Sequence, residues 1–316
     1  MSGSAISVVV LPFSGPDDLI RCLEGLQHQT GTSDVEILVP HDDALSNTAA
    51  LGARFPGVTF LPFTGRRTPA ELRAKGVAAA RGEVVALLED HCTPDPDWCA
   101  RILAWHEKPH AAVGGAVEKG FPHGKRSDSA LNWAVYLTDY SRYMNPMAAG
   151  PAISVTDTNS SYKRSDLDGI RDSWVEEFHE NVVNERLRAR GRSLWFAPDV
   201  IVREQRTLTL RAALRDRYAF GRLFASTRVA DAPLSRRLFL AAASALMPPV
   251  LLLRVGRNLF TRGRHRGQLL RCLPQLVVVT SAWMGGEMVG YLTARPEKTL
   301  LGRSAEGTIG APERAP

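Results

Sequence analysis

Residues 81–98 read RGEVVALLEDHCTPDPDW, and the fold turns on how this stretch is parsed. Val84 to Leu88 is an uncharged apolar run that stops abruptly at Glu89-Asp90-His91. Thr93-Pro94-Asp95-Pro96 then supplies a turn, and Asp95 or Asp97 can cap the helix that follows. A short strand with no polar alternation is buried on both faces, as in a parallel sheet. Ligands of open α/β sheets lie beyond the carboxyl ends of such strands. Three side chains able to hold a metal therefore stand where a site is expected, although the same triplet also reads as a solvated acidic turn.

Working outward, Ala5 to Leu11 (AISVVVL) is a second buried-strand pattern, broken by Pro12-Phe13-Ser14-Gly15-Pro16. Asp17 can cap a helix whose apolar face is Leu19, Ile20, Leu23 and Leu26. Val35–Val39 and Val58–Leu61 are further strands, the former ending in Pro40-His41-Asp42-Asp43. Thr68 to Ala80 reads as a helix with Pro69 in its first turn and Arg73 and Lys75 upon it. Four strands alternating with helices indicate an α/β protein with a doubly wound parallel sheet. No GxGxxG follows the first strand and no GxxxxGK[ST] occurs, which argues against nicotinamide and P-loop chemistry. Carboxylates after strands two and four suit ribose hydroxyls, or a metal that carries phosphates.

The 316 residues can hold one large α/β domain with an appendage. A net charge of +6 suits nucleic acid, anionic lipid or phosphorylated substrates. A nucleic-acid partner would explain the charge but not the acidic strand ends, and none is expected. Cys22, Cys92, Cys99 and Cys272 are scattered without a CxxC pair, as in a reduced cytosolic protein, and no secretory leader is legible.

SVVVLPF with the downstream LxxCLxGLxxQ, EILVPHDD, AELRAKGVAAARGEVVALLEDH and the PDW helix start resemble, in order and spacing, the nucleotide-binding half of the family 2 glycosyltransferases. The resemblance continues to about Arg222. It implies the A-type glycosyltransferase fold, a Rossmann-like nucleotide-diphospho-sugar transferase fold whose mostly parallel sheet is flanked by helices. It implies that Pro12 and Phe13 line the nucleotide, that Asp42 faces the base, and that Arg73 lies beside the nucleotide. Glu89 and His91 take the first and third places of the family's metal-binding Asp-x-Asp, with Asp90 between them. The family has a carboxylate where His91 stands. A neutral imidazole can still ligate a divalent ion, manganese more readily than magnesium.

The resemblance also makes Val113–Val117 the strand framing the acceptor side, and Thr158–Arg164 an acceptor segment in which Asn159 holds sugar or phosphate. The helical stripe Trp133, Tyr136, Tyr140 and Tyr143 reads as core before sugar platform. Within WVEEFHENVVNERLRARG (residues 174–191) the family's Glu-Asp is Glu180-Asn181. An amide cannot accept a proton as a base. Glu180 is therefore the first candidate base, Glu177 the second and His179 the third, and all three also read as solvated helix-start groups. Arg217 and Arg222 would neutralise phosphate. The Gln and Trp of the processive QxxRW motif are replaced by Leu214 and Tyr218, which favours a single transfer.

Two uncharged runs, Leu238–Leu253 and Cys272–Gly286, are each shorter than the roughly 20 residues of a membrane span. Arg236, Arg237, Arg254, Arg257, Arg262, Arg264, Arg266, Arg295 and Lys298 flank them. The expectation is two helices lying in the cytoplasmic leaflet with arginines on anionic headgroups; two spans, or a buried helical pair, are the alternatives. Residues 1–225 would form the catalytic domain, 226–300 the membrane-associated helices and 301–316 a disordered tail. The function expected is metal-dependent transfer of a sugar from a nucleotide-sugar donor to a hydroxyl of a glycan or lipid-linked acceptor, at the cytoplasmic face of the membrane. A nucleotidyl or phosphosugar transferase and a non-catalytic nucleotide- or glycan-binding relative remain as rivals.

Overall fold

The computed structural model describes residues 4–32, 34–121, 128–229 and 232–295. In chain order the first half contains β1 (Ile6–Leu11), α1 (Pro16–Gln27), β2 (Val35–His41), α2 (Thr48–Arg54), β3 (Val58–Pro62), α3 (Pro69–Ala79) and β4 (Val84–Glu89). Next come β5 (Cys92–Pro94), α4 (Trp98–His106), β6 (His110–Lys119), α5 (Ala130–Tyr140), β7 (Gly150–Ala152), β8 (Asn159–Lys163) and α6 (Arg164–Gly169). The chain continues through α7 (Glu180–Ala189), β9 (Ser193–Glu204), α8 (Leu210–Arg228), α9 (Leu234–Ala243), α10 (Met247–Arg262) and α11 (Arg266–Thr293).

The strands form one sheet in the order β3-β2-β1-β4-β8-β6-β9-β5, with β7 also on β9. The first four are parallel; β8 runs antiparallel to both β4 and β6, and β6 runs parallel to β9. Every residue of β1 and β4 is buried, as their unbroken apolar runs require. Alternate residues feed two separate cores. Val8, Val10, Ala86 and Leu88 pack toward α1, α4 and α5, whereas Val9, Val85 and Leu87 pack toward α3 and α7. Continuing that alternation, Glu89 emerges on the side of α3 and α7, where Arg73 and Glu180 are.

The expected turn at 93–96 is corrected at its start, because Cys92–Pro94 pairs antiparallel with β9 at the sheet edge, a position that tolerates proline. The expected aspartate side-chain cap bonds are also absent, although Asp97 does stand at the N-cap of α4. Helix α1 begins at Pro16 after Gly15, whose φ of 114° only glycine adopts freely, and Asp17 lies inside the first turn. At α4, Asp95 instead binds Arg203 at 2.7 Å and Asp97 binds Arg101 at 2.6 Å. Helix α3 has the capping box that its sequence suggests, with Thr68 and Glu71 bonded reciprocally. Trp133, Tyr136, Tyr140 and Tyr143 are buried and belong to the core.

A 3₁₀ turn at Ser244–Leu246 links α9 to α10, so that residues Leu234–Arg262 form one helical stretch of 29 residues, whose most apolar 18-residue window has mean hydropathy 1.9. Among the described residues this is the one helix long and apolar enough to cross a membrane. It presents Phe239, Leu246 and Leu253 to the outside at 70%, 64% and 74% exposure. The second apolar run behaves differently. It lies in α11 and packs on α8 and α5, burying Cys272, Leu276, Val279 and Trp283. The expected boundary at 225/226 falls inside α8, and the expected tail at 301–316 lies outside the described residues. Several arginines assigned to lipid headgroups are used within the protein. Arg262 donates to the Ser141 and Arg142 carbonyls, Arg264 binds Glu118 at 3.0 Å, and Arg237 holds the end of α11 through the Tyr291 carbonyl.

The α8–α11 crossing depends on glycines. A Cβ at Gly286 would strike the backbone of Tyr218 and Arg222, and one at Gly221 the backbone of Trp283. Gly286→Leu is therefore expected to cost about 1–3 kcal/mol of stability and lower the thermal midpoint. An unchanged melting temperature in scanning calorimetry would show that the two helices do not seat this closely.

Candidate active site

The strand end predicted to carry the chemistry is closed around an arginine. Arg73 on α3 donates to Glu89 at 2.9 Å and also pairs with Asp157, in the loop before β8. Its guanidinium carbon stands 5.9 Å above the centre of the Phe13 ring. Glu89 is fully buried, and its second oxygen accepts the Thr158 hydroxyl at 3.2 Å. Burial, with the charge of Asp157, raises the Glu89 carboxyl above the usual range, against the pull of Arg73 and Arg206. Asp90 points the other way, toward the loop after β1, and accepts the Ser14 backbone N–H at 2.8 Å. Its other oxygen is buried without a hydrogen-bond partner, and burial pushes its pKa up to about 7. His91 lies with Nδ1 3.8 Å from that oxygen and Nε2 3.3 Å from the Tyr140 hydroxyl. Burial, assisted by Arg206 and Lys119, keeps it neutral.

These contacts divide the expected metal triplet. Glu89 has both oxygens engaged, by Arg73 and by Thr158. Asp90 and His91 retain what a cation needs: an orphaned carboxylate oxygen and a neutral imidazole close to it. A divalent ion fits this donor set, although His91 Nδ1 also lies 3.4 Å from the Ser14 hydroxyl and its Nε2 3.4 Å from Glu89. Among the described residues no three acidic, His or Cys side chains form a preassembled metal cluster.

Glu180, the first residue of α7, is 4% exposed and stands on the wall of a cavity of about 120 Å³. Tyr140, Asp157, Thr158 and Arg217 share that wall. Burial pushes the Glu180 carboxyl above the usual carboxylate range and the Asp157 charge pushes it further, while Arg73 opposes both. The cavity is one side chain away from the strand end: Tyr140 touches both His91 and Thr158, at 3.3 Å each, and Thr158 touches Glu89.

Other expected site residues are placed elsewhere. Glu177 and His179 pair with one another at 3.0 Å on the exposed surface, and neither lines the cavity. Asn159 is fully buried with its amide spent on structure: its oxygen accepts the Trp98 indole N–H, and its nitrogen donates to the Ala116 and Val200 carbonyls, each at 2.9 Å. It ties β8, β6 and β9 together. Asp42 is buried and accepts the backbone N–H groups of Ala44 and Arg67 at 2.9 Å, so it orders the loop after β2. Pro12 is half-buried beside Phe13, which packs with Leu11 and Leu72. Arg217 is held by Asp139 at 2.7 Å, and Arg222 donates to the Arg295 carbonyl at the far end of α8.

Three groups escaped the sequence reading: buried Asp157 and Arg206, and half-buried Asp139. Asp157 shares Arg73 with Glu89; Asp139 and Arg206 pair at 3.3 Å behind Tyr140. Each lies in or beside a loop, where no periodicity marks it. The one available cue for Asp157 is its place immediately before the Thr158–Arg164 segment.

The fold and these distances can be set beside known proteins. The mannosyltransferase PcManGT from Pyrobaculum calidifontis, solved in complex with GDP-Man and Mn2+, superposes with a TM-score of 0.52 at 16% identity, covering 90% of this chain and 88% of that one. At that identity the likeness shows the fold, as the resemblance implied. The succinoglycan biosynthesis protein ExoO of Rhizobium meliloti (strain 1021) is 31% identical over 100 residues, 31% of this chain and 28% of its own. The putative glycosyltransferase EpsH of Bacillus subtilis (strain 168) is 28% identical over 179 residues, 55% of this chain and 51% of its own. The chain thus spans about half the length, or less, of these curated relatives. The family model described as Glycosyl transferase family 2 matches residues 7–171, just over half of the 316 residues. This chain belongs to the family 2 glycosyltransferases.

Proposed function

We propose that the protein is an inverting glycosyltransferase that moves a hexose from a nucleotide-sugar donor to a hydroxyl of a glycan or lipid-linked acceptor. The observation that carries this reading is Glu180. It is a buried carboxylate at a helix N-terminus, on a cavity wall, linked through Asp157 and Arg73 to the carboxyl end of β4. A carboxyl raised toward neutrality is suited to general-base work. Glu180 takes the proton of the acceptor hydroxyl, whose oxygen attacks the anomeric carbon from the face opposite the nucleotide. The bond to the diphosphate breaks, and the nucleoside diphosphate leaves with its electron pair. Pro12, Phe13 and the loop ordered by Asp42 flank the nucleotide, with Arg73 beside it. Asp90 and His91 would hold a divalent ion, manganese by ligand preference or magnesium, which supplies positive charge to the departing diphosphate. The complex of GDP-Man and Mn2+ with the structurally similar mannosyltransferase supports this choice.

The protein works, on this reading, at the cytoplasmic face of a membrane and contributes to an envelope polysaccharide. Support comes from the exposed apolar stretch Leu234–Arg262 with exposed Arg236, Arg257, Arg266 and Arg271 around it. Four free, buried cysteines fit a reducing compartment, and the name of one relative refers to succinoglycan biosynthesis. The rival reading, a non-catalytic nucleotide- or glycan-binding relative, rests on Asn181, whose amide cannot take a proton.

Glu180→Gln is expected to keep nucleotide binding and lose sugar transfer by roughly 10²–10⁴-fold. Transfer within tenfold of wild type would remove Glu180 as the base. Because the base acts when ionised, kcat/KM should fall as pH drops through the raised Glu180 pKa. Asp157→Asn removes a charge that raises it, so that limb should move to lower pH; a limb that stays put means another group is titrating.

Calorimetry with UDP, GDP and dTDP, with and without manganese, should show metal-dependent binding of one nucleotide that is weakened in His91→Ala and Asp90→Asn. Binding indifferent to manganese and to both substitutions would mean that arginines alone hold the diphosphate. For the membrane, Leu246→Glu with Leu253→Glu should abolish co-sedimentation with anionic vesicles without lowering the melting temperature. These point changes are preferable to deleting the C-terminal helices, because deletion strips α11 from α8.

A further inference from the structure

An imidazole ligates a cation through a bare nitrogen, so the ring must carry its one proton on the other nitrogen. Which nitrogen of His91 holds the proton therefore decides what the ring can bind. Its two ends have similar company. Nε2 lies 3.3 Å from the Tyr140 hydroxyl and 3.4 Å from Oε2 of Glu89. Nδ1 lies 3.4 Å from the Ser14 hydroxyl and 3.8 Å from Oδ1 of Asp90. With one hydroxyl and one carboxylate oxygen at each end, the immediate neighbours do not settle the tautomer. The choice is made one hydroxyl further on.

Thr158, in the loop before β8, donates its proton to Oε2 of Glu89 at 3.2 Å, while Arg73 holds the other oxygen at 2.9 Å. A hydroxyl has a single proton, so toward Tyr140, 3.3 Å away, Thr158 is left as an acceptor. Tyr140 ends α5 and is 4% exposed, and among the described residues its hydroxyl has two hydrogen-bond neighbours, Thr158 and His91. With its own proton on Thr158, Tyr140 can only accept from His91. Donors thus run in one direction, from Nε2 of His91 through Tyr140 and Thr158 to Glu89. That leaves Nδ1 bare. Its lone pair faces Oδ1 of Asp90, which has no hydrogen-bond partner, and the Ser14 hydroxyl can give its proton to only one of the two. Two acceptors left facing each other in this way are relieved by a cation.

We propose that Tyr140 is a positioning residue: with Thr158 it fixes His91 as the Nε2–H tautomer and keeps Nδ1, beside Asp90, free to ligate a divalent cation. The role given to Nδ1 rests on the reading of Asp90 and His91 as the metal-holding pair; the tautomer does not. The relay explains how an imidazole can stand where the resemblance expects a carboxylate. A carboxylate offers lone pairs in either orientation, whereas an imidazole needs a partner for its N–H before the other nitrogen can ligate. Here α5 and the loop before β8 supply that partner.

The test uses the full chain with 15N in its histidine rings, first free of metal and then titrated with manganese. In long-range proton–nitrogen spectra His91, identified by its loss in His91→Gln, should carry its proton on Nε2. Tyr140→Phe removes the acceptor of that proton and leaves Asp90 as the unsatisfied neighbour, so a population with the proton on Nδ1 should appear. Ser14→Ala, at the opposite end of the ring, should leave the proton on Nε2. Calorimetry should show manganese bound at least about tenfold more weakly by Tyr140→Phe than by wild type. Tyr140→Phe keeps the ring in the core, and unchanged signals from the other seven of the eight histidines verify the fold. The proposal is overturned if wild-type His91 carries its proton on Nδ1, a result that needs no variant. It is equally overturned if Tyr140→Phe changes neither the tautomer nor the manganese affinity, or if Ser14→Ala moves the proton and Tyr140→Phe does not. Wild-type protein that shows Nε2–H but binds no manganese would overturn the metal reading of Asp90 and His91 instead, and with it the role given to Nδ1.

Discussion

One guanidinium, that of Arg73, is the interaction on which the site depends. It is buried between the last residue of β4 and the loop leading into β8, where it meets Glu89 and Asp157 together. Burying three charged groups is costly, and their attraction repays the cost only while all are present. Losing the arginine would leave two uncompensated carboxylates under the sheet end, a change on the order of 3–5 kcal/mol. The same guanidinium also opposes the upward push of burial on Glu180. A single helix residue therefore tempers the ionisation of the candidate base, which burial and Asp157 raise, and joins the end of β4 to the loop before β8.

The sheet was legible because β1 and β4 are covered on both faces, which leaves apolar runs that no loop could afford. The same burial explains why Glu89 stands out, since a carboxylate closing such a run needs a partner and Arg73 is on the helix above. Where the sequence reading failed, the information lay outside local pattern. Nothing in an Asn beside a serine pair says that its amide is engaged by helix α4 and by strands β6 and β9, as that of Asn159 is. Glu177, His179 and Glu180 are near neighbours in sequence, and only the path of the chain into α7 decides which faces the cavity. Cys92–Pro94 is too short to register as a strand until β9 is there to pair with it.

The arginines teach a related lesson. Counted along the chain, those around the two apolar runs look like one lipid-facing cluster. In space they sort by what lies within reach. Arg237, Arg262 and Arg264 find carbonyls or Glu118 inside the protein and clamp the C-terminal helices to the sheet domain. Arg236, Arg257 and Arg271 are exposed, and Arg266, exposed as well, folds back on the Phe260 carbonyl. Composition alone cannot separate a clamp from a headgroup contact, because both need the same flexible stem and planar donor.

The glycine seam between α8 and α11 has a mechanical meaning. Helices that touch backbone to backbone at Gly221 and Gly286 have little room to slip past one another, and α10 is tethered to the same assembly by Arg262. If the outer stripe of α10 rests in lipid, the altitude of Glu180 above the bilayer is fixed by this seam like a gauge block.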